Sequence, residues 1–158
     1  VNVAGIQSFT DFGSASNTVL TFNVGAFATI TSFDYNVVLT AFDPSWLSEM
    51  QVIATDSAVT DGVIFTPGIG FDDPGTSAYS ASINLVDEAL SFQVGADGLL
   101  RLEFAERFDD DGVAPDGRWD SGTLTVGIAA AVPEPSTYGM MALGLLAVGA
   151  FARRRKAG

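Results

Sequence analysis

The chain of 158 residues contains no cysteine and no histidine. Their absence removes disulfides, thiol nucleophiles, Cys/His zinc sites, c-type haem attachment and every Ser-His-Asp or Cys-His mechanism. Basic residues are scarce: 7 Lys and Arg stand against 19 Asp and Glu, a net charge of −12. Nucleic-acid binding depends on Lys and Arg meeting phosphates, so nucleic acid is excluded as a partner. No apolar stripe of helical period occurs before residue 132.

What charge there is divides unevenly. Up to Val132 there are three basic residues, Arg101, Arg107 and Arg118, and eighteen acids, a net −15. The remainder carries one acid and four bases, a net +3. The chain therefore reads as two objects, an acidic domain over 1–131 and a short tail over 132–158. With 47% hydrophobic residues and twelve Phe, the first has enough apolar material for a core. Its low Lys and its Thr, Ser, Gly and Asp richness are those of secreted bacterial proteins. The chain starts at Val1 rather than Met, as removal of a signal peptide, or other trimming, would leave it.

Within the acidic domain, apolar and polar residues alternate with period two. Leu20, Phe22 and Val24 form one such run; Tyr79, Ala81, Ile83 and Leu85 another. Leu90, Phe92 and Val94, then Leu100, Leu102 and Phe104, then Leu124, Val126 and Ile128 follow. Looser runs cover 33–42, 49–55 and 58–65. This predicts about eight strands, with turn-rich joints between them. Asp61-Gly62 and Asp97-Gly98 carry the dipeptide of tight hairpins. The expected fold is all-β: an antiparallel two-sheet β-sandwich, jelly-roll-like, with a closed barrel as the alternative.

Candidate chemistry gathers in one acidic loop. Asp109, Asp110 and Asp111 precede Gly112, with Asp116 and Asp120 beyond. Tight turns that bring carboxylates together suit a hard cation such as Ca²⁺, although the spacing is not that of an EF-hand. The alternative is a solvated loop of Asx turns. Asp72 and Asp73, before Pro74-Gly75, have the same ambiguity. Trp46 and Trp119, with Tyr35 and Tyr79, offer either a platform for sugar rings or core plugs. Arg118 is placed to cover Trp119 and pair with a nearby Asp. Glu49, Glu88, Glu103 and Glu106 are the domain's glutamates, and two suitably spaced carboxylates would be needed for glycoside hydrolysis. Gly68-Ile69-Gly70 opens no helix and precedes no Lys, so it is a spacer and not a phosphate loop.

The tail has three parts. Pro133, Glu134 and Pro135 come first; an uncharged apolar run follows from Tyr138 to Ala152; Arg153, Arg154, Arg155 and Lys156 close it. As a helix the run spans about 23 Å, or about 27 Å if counted from Pro135, against a bilayer core of about 30 Å. The terminal cations orient it: they stay cytoplasmic and the acidic domain lies outside. A single C-terminal transmembrane helix is therefore expected.

These three parts, in this order, resemble the PEP-CTERM sorting signal of Gram-negative bacteria. The resemblance implies recognition by an exosortase-type membrane protease that processes at or near Pro133–Pro135. It implies an inner-membrane intermediate, then delivery to the cell surface or an extracellular matrix, often alongside exopolysaccharide. Prolines at 133 and 135 keep that stretch extended, as a protease requires. A second resemblance concerns fold alone. Leu99–Phe104, Phe108–Gly112 and Asp116–Val126, with Pro44–Val52 earlier, are similar to the jelly-roll P domain of subtilisin-like proprotein convertases. Residues 99–126 would be its last hairpin. Val113-Ala114-Pro115 stands where that pattern has a Gly-Asp turn.

The functional expectation is a non-catalytic exported surface or matrix protein that associates with itself or with polysaccharide. The alternative is a calcium-assisted carbohydrate-binding module, and a carboxylate glycosidase is the remote third.

Overall fold

The computed structural model describes residues 1–110, 112–132, 139–141, 143 and 145–146. Among the described residues nine strands are formed: β1 (Ile6–Ser8), β2 (Thr18–Asn23), β3 (Thr29–Ala41), β4 (Met50–Asp56), β5 (Gly62–Phe65), β6 (Gly75–Asn84), β7 (Phe92–Gln93), β8 (Leu99–Glu106) and β9 (Gly117–Ala129). One sheet has the order β1-β9-β3-β6, with β7 also on β3; the other has the order β2-β8-β4-β5. All pairings are antiparallel.

This is the wiring of a jelly roll. Strand β6 pairs with Ser32–Ala41 of β3, and β7 pairs with Thr29 and Ile30 of the same strand. The two are thus one edge strand interrupted by the excursion Leu85–Ser91. With that joined, each sheet has four strands, in the two-Greek-key pattern that packs two sheets face to face.

Alternation explains which faces meet. On β8, Leu100, Leu102 and Phe104 point into the core; on β3, Ile30, Phe33, Val37 and Leu39 do. Phe33 stacks on Phe65 across the sheets, with centroids 3.9 Å apart. Phe104 meets Trp119 edge-on at 5.1 Å. These aromatic pairs tie β3 to β5 and β8 to β9 through the centre.

Two expectations about connections are corrected. Asp97-Gly98 does not close a hairpin. It turns the chain from one sheet to the other, with Gly98 N–H donating to Gly95 and Gly98 carbonyl accepting from Val24. Likewise β8 and β9 lie in different sheets, so the Trp-led segment is not the second arm of a hairpin. A dipeptide specifies a turn, but not the sheet each flanking strand joins. Asp61-Gly62 does lie in a hairpin, between β4 and β5.

In the tail, helical residues are described at Gly139–Met141, Leu143 and Leu145–Leu146. No helix among the described residues is long and apolar enough to cross a membrane. Pro133, Glu134, Pro135, Arg153, Arg154, Arg155 and Lys156 lie outside the described residues, as does Asp111.

Candidate functional site: a buried carboxylate cluster and the exit to the tail

Trp119 is 0% exposed and packs in the core, so it contacts no glycan. The reason is a β-bulge. Leu124, Val126 and Ile128 set an inward phase on β9 that, continued backwards, would turn Trp119 to solvent. Val38 pairs with Ser121 but Leu39 pairs with Trp119, so Asp120 is an extra residue. The bulge flips the phase and swings Trp119 inward. Arg118 then faces out, paired with Asp120 at 2.5 Å and lying over the Phe42 ring rather than over Trp119. Asp120 also accepts from Thr40 and has no part in the acidic loop's cluster.

Trp46 is 43% exposed. Its loop is tied to the 66–74 loop by Leu47 N–H to Asp73 and Ser48 N–H to Phe71, both 3.1 Å, and by Ser48 hydroxyl to Asp72 at 2.6 Å. Phe71 and Ile69 are exposed in that second loop, and the Phe71 ring leans on Tyr79.

Glu103 and Glu106 lie three positions apart on β8, which places them on opposite faces. Glu103 faces outward, under the loop Phe9–Asn17. It accepts from Gly13 N–H at 2.7 Å and Asn17 Nδ2 at 2.9 Å, and pairs with Arg101. It is a buried structural clamp.

Glu106 continues the inward phase of Leu100, Leu102 and Phe104, and it is 1% exposed. It lies at the end of the sandwich where β8 leaves for the acidic loop. Met50 on β4 is its register partner. Gly117 leaves it room, since a Cβ there would stand 2.8 Å from Glu106 Oε1 and 2.7 Å from the Met50 methyl. Ser8 donates to Glu106 Oε1, and Ser8 carbonyl accepts from Asp116 N–H at 3.1 Å. Asp116, 0% exposed, accepts from Asp110 N–H at 3.1 Å. Glu49 stands nearby, capping Trp46 N–H at 2.8 Å and taking the Ser45 hydroxyl at 3.3 Å.

Burial, opposed in part by the Ser8 hydrogen bond, pushes the Glu106 carboxyl up to about 8; the charges of Asp116, Glu49 and Asp110 add to the rise. Burial also raises Asp116, with Asp109, Asp110 and Glu49 adding to it. Of the acidic-loop residues predicted to act together, Asp110 and Asp116 do meet, while Asp109 is exposed on the turn. The glutamates Glu49 and Glu106 complete the group. Glu106 was legible as a polar residue on an inward phase. As they stand, no three acidic side chains among the described residues are drawn together tightly enough to hold a metal ion.

At the opposite end of the sandwich an apolar groove of about 260 Å³ is lined by Val1, Phe22, Leu100, Leu124, Val126 and Ile128, among others. There β9 ends at Ala129 and the chain leaves the sheet through exposed Ala130, Ala131 and Val132, the last 86% exposed. The body thus hands over to the tail in the open. No curated protein matches the chain. Residues 131–156 match the family model described as the PEP-CTERM protein-sorting motif, so the chain carries this motif near its C-terminus, with the sorting by an exosortase-type system to the cell surface that it implies.

Proposed function

We propose that this protein is a non-catalytic β-sandwich whose tail, residues 132–158, is a transient membrane anchor, processed at Pro133–Pro135 by an exosortase-type protease. The released body, residues 1–131, serves as a structural component of the cell surface or the exopolysaccharide matrix. The sorting motif at 131–156 carries this reading. Two features support it. The body is strongly acidic and the tail basic at its end, which suits opposite sides of a membrane. The chain leaves β9 in an exposed stretch without regular structure directly before Pro133, where a protease has access.

Polysaccharide contact falls to the end that bears Trp46, Ile69 and Phe71. Exposed aromatic faces stack on sugar rings, and here two tied loops hold them. Self-association falls to β6. Its ten residues carry no charge or proline, and among the described residues its outer edge pairs with no other strand.

Fractionation of the native host tests the sorting step. Wild-type protein is expected at the surface and in the medium. A variant with Pro133, Glu134 and Pro135 all replaced by Ala is expected to accumulate in the inner membrane. Identical distribution of the two would overturn the proposal.

A further inference from the structure

We infer that the end of the sandwich beneath the β8–β9 loop binds one divalent cation of the calcium class, through Glu106, Asp116 and Asp110 with Glu49 beside them. The inference rests on unmet hydrogen-bonding capacity. Glu106 and Asp116 are wholly enclosed, and each has one oxygen tied to the protein, to Ser8 hydroxyl and Asp110 N–H respectively. The second oxygen of each, Glu106 Oε2 and Asp116 Oδ1, is buried with no partner, and so is Asp110 Oδ2. Buried polar atoms are nearly always satisfied, and an orphan of this kind signals a missing water or ion. Three such oxygens belong to one connected group of carboxyl groups, the oxygen donors that a hard cation takes.

Among the described residues no cationic side chain pairs with the cluster; the ion pairs are Arg101 with Glu103 and Arg118 with Asp120. Arg107, next to Glu106 in sequence, lies over the Phe108 ring. Calcium suits these oxygens in chemistry, because it takes six to eight oxygens, carboxylate and carbonyl alike, in flexible geometry. The carboxylates are not drawn in around a ready-made sphere. The site instead forms by small rotations of side chains whose second oxygen nothing holds. The nearby turn Asp72-Asp73-Pro74-Gly75 carries no such claim, since Asp72 is taken up by the Ser48 hydroxyl.

Calorimetric titration of the full chain, held in non-ionic detergent, with calcium chloride tests the site. One ion per chain is expected, with Kd in the range of about 10⁻⁴–10⁻³ M typical of extracellular modules. At tenfold above Kd the thermal midpoint should rise by roughly 5 °C over a sodium chloride control of equal ionic strength. Glu106→Gln and Asp116→Asn keep shape and remove charge. Each should weaken binding at least tenfold, while Asp87→Asn, at the other end of the sandwich, leaves it unchanged. Terbium emission sensitised by tryptophan, and quenched by added calcium, reads the wild-type site even if neither cluster variant folds. No heat and no midpoint rise at about 10 mM calcium, a rise that sodium chloride reproduces, or wild-type affinity in Glu106→Gln would each overturn the inference.

Discussion

Single carboxylates in this domain pull stability in opposite directions with pH. Glu106 has a folded-state pKa of about 8, raised by burial. Between the ordinary carboxylate range and that value the folded state holds a proton the unfolded chain has released. Its contribution is therefore complete at low pH and is lost as pH rises through about 8. With a chelator present, the thermal midpoint should fall between about pH 5 and pH 8.5, and Glu106→Gln should flatten that slope. Asp56 works the other way. Its carboxylate accepts the Thr60 hydroxyl and the Thr60 and Asp61 N–H groups, which hold its pKa below the usual range. That contribution is present at neutral pH and lost on acidification. Asp56→Ala should lower the midpoint at neutral pH and flatten its fall on acidification, read by the same melts.

The Glu103 clamp is a third residue-scale case. Asn17→Ala removes the bond to Glu103 and those to the Thr10 and Asp11 carbonyls. A cost of about 1–3 kcal/mol is expected in urea unfolding, and a change under about 0.5 kcal/mol, the level of an ordinary surface substitution, would show the loop to be held otherwise. In the sequence, Asn17 is an unremarkable loop polar; its role comes from a partner 86 positions away.

Elements show where local pattern suffices and where it does not. Strands with unbroken alternation, β2, β6 and β8, were legible because period two is a local property. Strand β1 escaped, since three residues are too few to show a period. On β9 the bulge at Asp120 reversed the phase, and only pairing with β3 reveals it. The β7–β8 joint escaped in a different way: its Asp-Gly turn is real, but its strands diverge into two sheets. Gly98 serves that crossing through backbone shape. Its φ is +70°, and a Cβ would stand 2.7 Å from the Ala26 nitrogen. Gly98→Ala should cost about 1–3 kcal/mol, measured by chemical denaturation. At the β6 edge, Ser80→Lys should suppress concentration-dependent growth in light scattering, because a charge at an exposed edge opposes pairing between copies. Unchanged growth would exclude that edge.

At the scale of the whole molecule, two kinds of information lie in one chain. The sorting segment was readable in full because it acts as a contiguous signal: prolines, an apolar run and terminal cations in order. The buried cluster was readable only in part. Asp110 and Asp116 share a loop, but Glu49 arrives from the turn before β4 and Glu106 from the end of β8, through the jelly-roll wiring. The acidic body carries few cations to offset its charge, so screening should matter. Raising sodium chloride from about 10 to 300 mM, which shortens the Debye length from about 30 Å to under 10 Å, should raise the thermal midpoint, even without divalent ions.

Intact-mass measurement of the protein recovered from the surface of its native host tests the central claim directly. A polypeptide ending near Pro133–Pro135, without the apolar run and the Arg cluster, is the predicted result. A surface product that still carries the apolar run and the Arg cluster would contradict it.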